Sequence, residues 1–257
     1  EGPTVSIGVA SDQPGLGVWH NGGYSGFDVD VARYVAKALG YADKQIVFKS
    51  VTPRSRVSML ESAQVDMVVS SFGITERHES AVTMTGPYLI VRQDLLVRAA
   101  DAGDITGIKD MNGRKACVVA GSDVTDAVRS QAPKASIEER DDYGQCLTSL
   151  LIGDVDAVAA GDAILTGLAT VKGNGYVQVV GAPFGEERYG IAVKHGNTQL
   201  ADSIGDILSD MIDDGTWRQA VRGMRRQIGY TVDSKLNPPD PAASSDTASS
   251  DPEQGDE

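Results

Sequence analysis

The strongest constraint on this chain is a twice-run alternation of short apolar stretches with helix-periodic ones. Residues 4–10, 45–49 and 65–69 are apolar runs too short for helices and rich in Val and Ile, so they read as strands. Between them, residues 27–39 place Val31, Val35 and Leu39 at helical spacing and stop at Gly40, and Arg56–Glu61 reads as a second helix. Residues 12–17 form a turn-rich loop. The pattern restarts beyond Tyr88. Residues 115–120, 156–160 and 176–180 are strand candidates, while 124–130, 145–152 and 163–171 are helical. Residues 190–193 then read as a return to the first unit, closed by helices over 200–213 and 216–226. Such alternation predicts an α/β fold with helices covering an open sheet.

Charge narrows the function classes. The 257 residues carry 23 Lys and Arg against 36 Asp and Glu, a formal net charge of −13. Six of the acids lie in the last eighteen residues, which hold no base, so the body is 30 acids against 23 bases, or −7. An acidic body does not suit nucleic acid, whose phosphates need basic partners. No apolar run reaches the ~18 residues of a membrane span. The chain begins at Glu1 without a signal peptide and is expected to be a processed product. From residue 237 the composition turns to Pro, Ser, Asp and Glu without apolar periodicity. Residues 237–257 are therefore expected to be a disordered acidic tail, either a flexible terminus or a linker to a larger receptor.

One segment carries a family resemblance. In Gly73-Ile-Thr-Glu-Arg-His-Glu-Ser-Ala-Val-Thr-Met-Thr-Gly-Pro-Tyr88, residues Ile74, Thr75, Val82, Pro87 and Tyr88 fall in register with a pattern I-T-x-x-R-x-x-x-V-x-F-S-x-P-Y. Residues 12–17 and 26–32, Gly153-Asp-Val-Asp-Ala-Val158 and Asp214-Gly-Thr-Trp217 match further motifs in the same order. Together they cover residues 5 to 228 and resemble the bacterial extracellular solute-binding proteins of family 3, the polar amino-acid type, in particular actinobacterial glutamate-binding proteins. The resemblance implies a periplasmic-binding-protein type II fold with two hinge strands. Lobe one would be residues 1–89 plus 190–233, and lobe two residues 93–186, with a ligand buried between them by hinge closure. It also implies that Cys117 and Cys146 form a disulfide, as in relatives with a similar pair, where the residues alone allow two buried thiols.

The implied ligand-binding set is Asp12, Trp19, Ser70, Ser71, Gly73, Thr75, Arg77, His78, Gly121, Ser122, Asp123, Gly161 and Asp162. In this family an arginine clamps the ligand carboxylate, a planar fork matched to a planar anion, and an aspartate takes the ammonium. The arginine position falls on His78, with Arg77 one residue early, and the aspartate position falls on Gly161, with Asp162 one residue late. Local bulges would restore Arg77 and Asp162 to the cleft; otherwise the site is rebuilt. Asp123 stands where the family has Thr or Gly, and by itself reads as a helix N-cap. Trp19 replaces a residue that is often basic, and in a rebuilt site it would stack on a neutral or cationic ligand, which Asp12, Asp123 and Asp162 would also suit. Tyr24 either lines the cleft or shields a helix start.

Three functions follow. The first is a non-enzymatic, monomeric, extracellular binding protein, secreted or lipid-anchored, that hands a small polar ligand to an ABC permease. The second is a receptor's sensor domain on the same fold. The third is an enzyme, since the fold also occurs in a periplasmic dehydratase. No positioned nucleophile–base set and no metal-ligand spacing is visible, so no catalysis, cofactor or metal is expected. His20, His195 and Trp217 read as surface or packing residues.

Overall fold

A computed structural model describes residues 2–242. Its frame is a nine-stranded sheet whose halves are built alike. In the first half, β1 (Val5–Val9) lies parallel to β5 (Ile46–Ser50) on one side and to β6 (Met67–Gly73) on the other. In the second half, β8 (Lys115–Val119) lies parallel to β9 (Ser136–Arg140) and to β10 (Ala157–Gly161). Two long strands join the halves: β7 (Val82–Arg98) and β12 (Gly185–Lys194) pair antiparallel from Gly185↔Gln93 to Lys194↔Val82. β6 pairs β12 in the first half, while β10 and the short β11 (Val177–Val179) pair β7 in the second. This is a type II binding-protein architecture, two α/β lobes on two crossing strands.

The helices follow from apolar stripes. In α1 (Phe27–Ala38), Val31, Ala32, Val35 and Ala36 are buried on one face. The small α2 (Arg56–Glu61), α7 (Thr198–Asp213) and α8 (Thr216–Ile228) complete lobe one, joined by the single turn α3 (Glu76–Glu79). Lobe two carries α4 (Val124–Gln131), α5 (Tyr143–Ile152) and α6 (Asp162–Val171). Trp217 is buried and donates its indole N–H to the Tyr88 carbonyl at 2.7 Å. Cys117 and Cys146 are disulfide-bonded, tying β8 to α5.

Several elements differ from the sequence reading. The loop expected over residues 12–17 opens a small second sheet of β2 (Asp12–Gln13), β3 (Gly17–His20) and β4 (Gly23–Ser25). Its hairpin turns at Asn21-Gly22, both at positive φ, the dipeptide such a turn favours. The edge strand β9 was unforeseen because it is largely charged. β7 is far longer than any predicted strand. Pro87 sits inside it because the pairing with β12 slips between Tyr189 and Ile191, where no ladder donor is demanded. The expected tail also starts too early at 237. Asn237 is buried, accepts from the Ile90 N–H at 3.0 Å and donates to the Ile90 carbonyl at 2.8 Å. The rest of the expected tail, from 243 onward, lies outside the described residues.

Candidate functional site at the inter-lobe cleft

The C-terminal ends of β1 and β6 in lobe one face those of β8 and β10 in lobe two. Between them Gln13, Pro53, Arg56 and Ser71 meet Ser122, Asp123, Tyr143, Gly161 and Ile164, with Glu187 arriving from β12. The space left there is about 10 Å³, room for one water at most. Side chains of the two lobes fill the rest.

Asp123 is the centre of this contact. It stands at the N-cap position of α4, but its side chain makes no cap bond, contrary to the simplest reading of the sequence. Its carboxylate instead crosses to lobe one, with only 8% of the side chain exposed. Arg77 reaches Oδ1 at 2.9 Å, and Arg56 reaches Oδ2 at 3.4 Å. The Arg56 guanidinium is itself buried, 3.8 Å from the centre of the Phe72 ring, and donates to the Ser70 and Ser71 carbonyls at 3.3 and 3.4 Å. Burial pushes Arg56 below the ordinary arginine range, opposed first by Asp123. Gly73 makes the approach possible, since a Cβ there would lie 2.5 Å from Asp123 Oδ2.

His78 lies beneath this cluster, edge-on to Phe72. Its Nδ1 is 2.9 Å from the Gly73 carbonyl, which can only accept, so Nδ1 carries the proton. Burial lowers its pKa more than Asp123 raises it, which leaves the ring neutral near pH 7. Nε2 then accepts from Arg77 Nη2 at 3.4 Å. Arg77 and His78 approach Asp123 Oδ1 from different sides, at 2.9 and 3.4 Å. On the one-turn α3, adjacent residues point ~100° apart. Arg77 comes over the outside, with 58% of its side chain exposed, while His78 braces it from within.

Acids and phenols occupy the other side. Glu187 accepts from Gln93 Nε2 at 2.9 Å. Desolvation, and then the nearby Asp123 charge, raise its pKa to about 7, while Gln93 and Tyr189 hold it down. Tyr189 fills the space beside Gly161, where a Cβ would collide with its hydroxyl. That hydroxyl reaches no partner at full hydrogen-bonding geometry, although it lies near enough to act on Glu187. Asp12 crosses the cleft and accepts from the Tyr143 N–H at 3.0 Å, capping α5 from the opposite lobe. Burial raises its pKa. Ser71, at φ 42°, donates its hydroxyl to Gln13 and its N–H to Asp28, whose buried carboxyl is pushed up to about 7.

The remaining expected residues fall around this centre. Ser70 contributes its carbonyl and Ser122 lines the cleft. Gly121, at φ 85°, lets lobe two come close to Pro53 and Arg54. Thr75 caps α3 and lines an adjoining cavity of about 420 Å³, bounded also by Asp123, Glu186 and Glu187. Two expectations fail. Asp162 is not returned to the cleft: it turns to the Arg92 N–H and the Tyr230 hydroxyl, and burial raises its pKa to about 6. Trp19, half exposed on β3, packs edge-on to Tyr24 beside an open groove with Ser11 and Ser50 and does not line the closed cleft. Arg56, Gln13, Tyr143, Glu187 and Tyr189 were not singled out in the sequence, because nothing local to them marks them. No group of acids, His or Cys suited to a metal occurs among the described residues.

Comparison with known proteins identifies the family. The model of the bacterial extracellular solute-binding proteins, family 3, matches residues 5–223. The chain belongs to this family. Among relatives of this solute-binding family, the ABC transporter glutamine-binding protein of Bacillus subtilis is 34% identical over 216 residues, covering 83% of this chain and 78% of its own. The glutamate-binding protein of Corynebacterium efficiens is 33% identical over 230 residues, covering 85% and 78%. An ancestral arginine-binding protein solved with arginine superposes with a TM-score of 0.80 at 29% identity, over 87% of this chain and 98% of that one. The family is extracellular, and no described helix is long and apolar enough to cross a membrane.

Proposed function

We propose that this chain captures an amino acid, or a derivative of one, between its lobes and delivers it to an ABC permease as a monomer held at the outer cell surface. The carrying observation is the polarity of the cleft: guanidinium groups of Arg56 and Arg77 on one side, Glu187 with Tyr143 and Tyr189 on the other. Such a division suits a small solute with groups of opposite character. The names of the relatives, for glutamine, glutamate and arginine, support the same class. The lobes that close are residues 1–89 with 190–233, and 93–186. The contacting residues are those around Asp123, including Ser71, Gly73, Arg77, Ser122 and Gly161. The cleft offers binding and no nucleophile paired with a base, so no reaction is assigned to it.

A thermal-shift panel of amino acids, their amides, polyamines and betaines tests this reading. A ligand at a hundred times its dissociation constant adds ~2.7 kcal/mol, or about 5–10 °C for a protein of this size. Absence of any shift across the panel sinks it. A second reading, a receptor's sensor domain, is favoured by one feature: Asp123 already occupies the cation-lined part of the cleft. A kinase segment encoded after Glu257, in place of a neighbouring permease gene, would decide for it.

A further inference from the structure

We infer that Asp123 is a built-in counter-anion: a tethered carboxylate that occupies the seat formed by Arg56 and Arg77, latches the lobes together, and selects against solutes that bring a free carboxylate there. The inference rests on the amino-acid reading for its ligand class, and on geometry alone for the latch.

The seat is saturated from within. Arg56 and Arg77 approach different oxygens of one carboxylate, which is what a bound amino acid would present to such a pair. The carboxylate comes from α4 of lobe two, and both guanidinium groups come from lobe one, so the ion cluster exists only with the lobes together. Two local features accommodate it. Gly73 carries no side chain where Asp123 enters, and the α4 N-terminus gives up its own cap so that the carboxylate can cross. Glu187 and Asp12, which also face the cleft, are acids, and neither offers a seat for an anion. A free carboxylate must then displace a group held at millimolar effective concentration and stay beside it afterwards. A solute whose carboxyl is capped as an amide, or a simple amine, meets neither obstacle.

The test compares wild type with Asp123→Thr, the residue type the family pattern carries there, and with Asp123→Asn, which keeps the size and removes the charge. Each protein is unfolded, dialysed to strip bound solute, refolded and measured by small-angle scattering. The latch predicts a larger radius of gyration for both variants than for wild type; equal radii overturn it. Calorimetry with L-glutamine, L-glutamate and L-arginine, and with the corresponding α-amides, reads specificity. The expected result is that Asp123→Thr binds at least one free amino acid about a hundredfold tighter than wild type does, with a smaller gain for its amide. Wild type binding the free acids as tightly as the variant overturns the selection. Should none of these solutes bind either protein, the amino-acid reading and the selection fall together, while the scattering still decides the latch.

Discussion

Glu187 is a cleft residue whose chemistry the fold displaces strongly. Its carboxyl titrates near 7 in the native protein, against an ordinary value of 4.5. A raised native value means that the folded chain binds the proton more tightly than the unfolded one. The stabilisation is complete below the ordinary value and is lost as pH rises through 7. The melting temperature of wild type should therefore fall between about pH 5 and pH 8, and Glu187→Gln should fall less over the same range. Calorimetric scans of both proteins check this, and parallel curves would refute it. Asp28 and Asp162, raised to about 7 and about 6, act in the same direction and persist in the variant. His78, whose native value is lowered, acts oppositely below its ordinary 6.5. At this scale the sequence was half legible. Arg77, His78, Gly161 and Asp123 could be found because they sit in or beside motifs of fixed spacing. Arg56, Glu187 and Tyr189 could not, because only the crossing of β12 and the packing of α2 bring them to the cleft. Gly161 could be seen to lack a carboxylate, but not that a phenol from another strand takes the space.

Among the elements, α5 has the most consequential placement. Asp142 caps it within lobe two, accepting from the Gln145 N–H at 2.8 Å, and Asp12 adds a second carboxylate from lobe one. Two carboxylates at one helix N-terminus are favoured by the helix dipole. The disulfide to β8, closing a separation of 29 residues, holds that terminus where Asp12 can reach it. Reducing the bridge should cost about 3–4 kcal/mol by loop entropy and lower the melting temperature by about 10 °C. Scans with and without reductant read this directly. A change under a degree or two would mean that packing alone positions α5. The helices were readable in advance because their apolar spacing is local. β9 and most of β7 were not: the first is a charged edge, and the second is held by partners about a hundred residues away in sequence.

On the scale of the whole molecule, the C-terminal segment binds the joint between the lobes. Beyond α8, Tyr230 donates to Asp162 of lobe two, Asp233 pairs with Arg92 on β7, and Asn237 holds both backbone groups of Ile90. Composition alone could not reveal this, because a polar run whose side chains dock on the body looks like one whose side chains do not. Asn237→Ala should speed exchange of the Ile90 amide about tenfold, as loss of a bond worth ~1.4 kcal/mol implies, with the β1 amides unchanged. Hydrogen exchange resolved at that residue tests it, and unaltered protection would show that the segment does not hold the joint. The strand it grips, β7, is paired along most of its length with β12. Any reorientation of the lobes must therefore twist one two-stranded ribbon, which leaves the motion essentially a single coordinate. One pair of spectroscopic labels, placed on either side of the cleft, is then enough to follow the whole opening of the molecule.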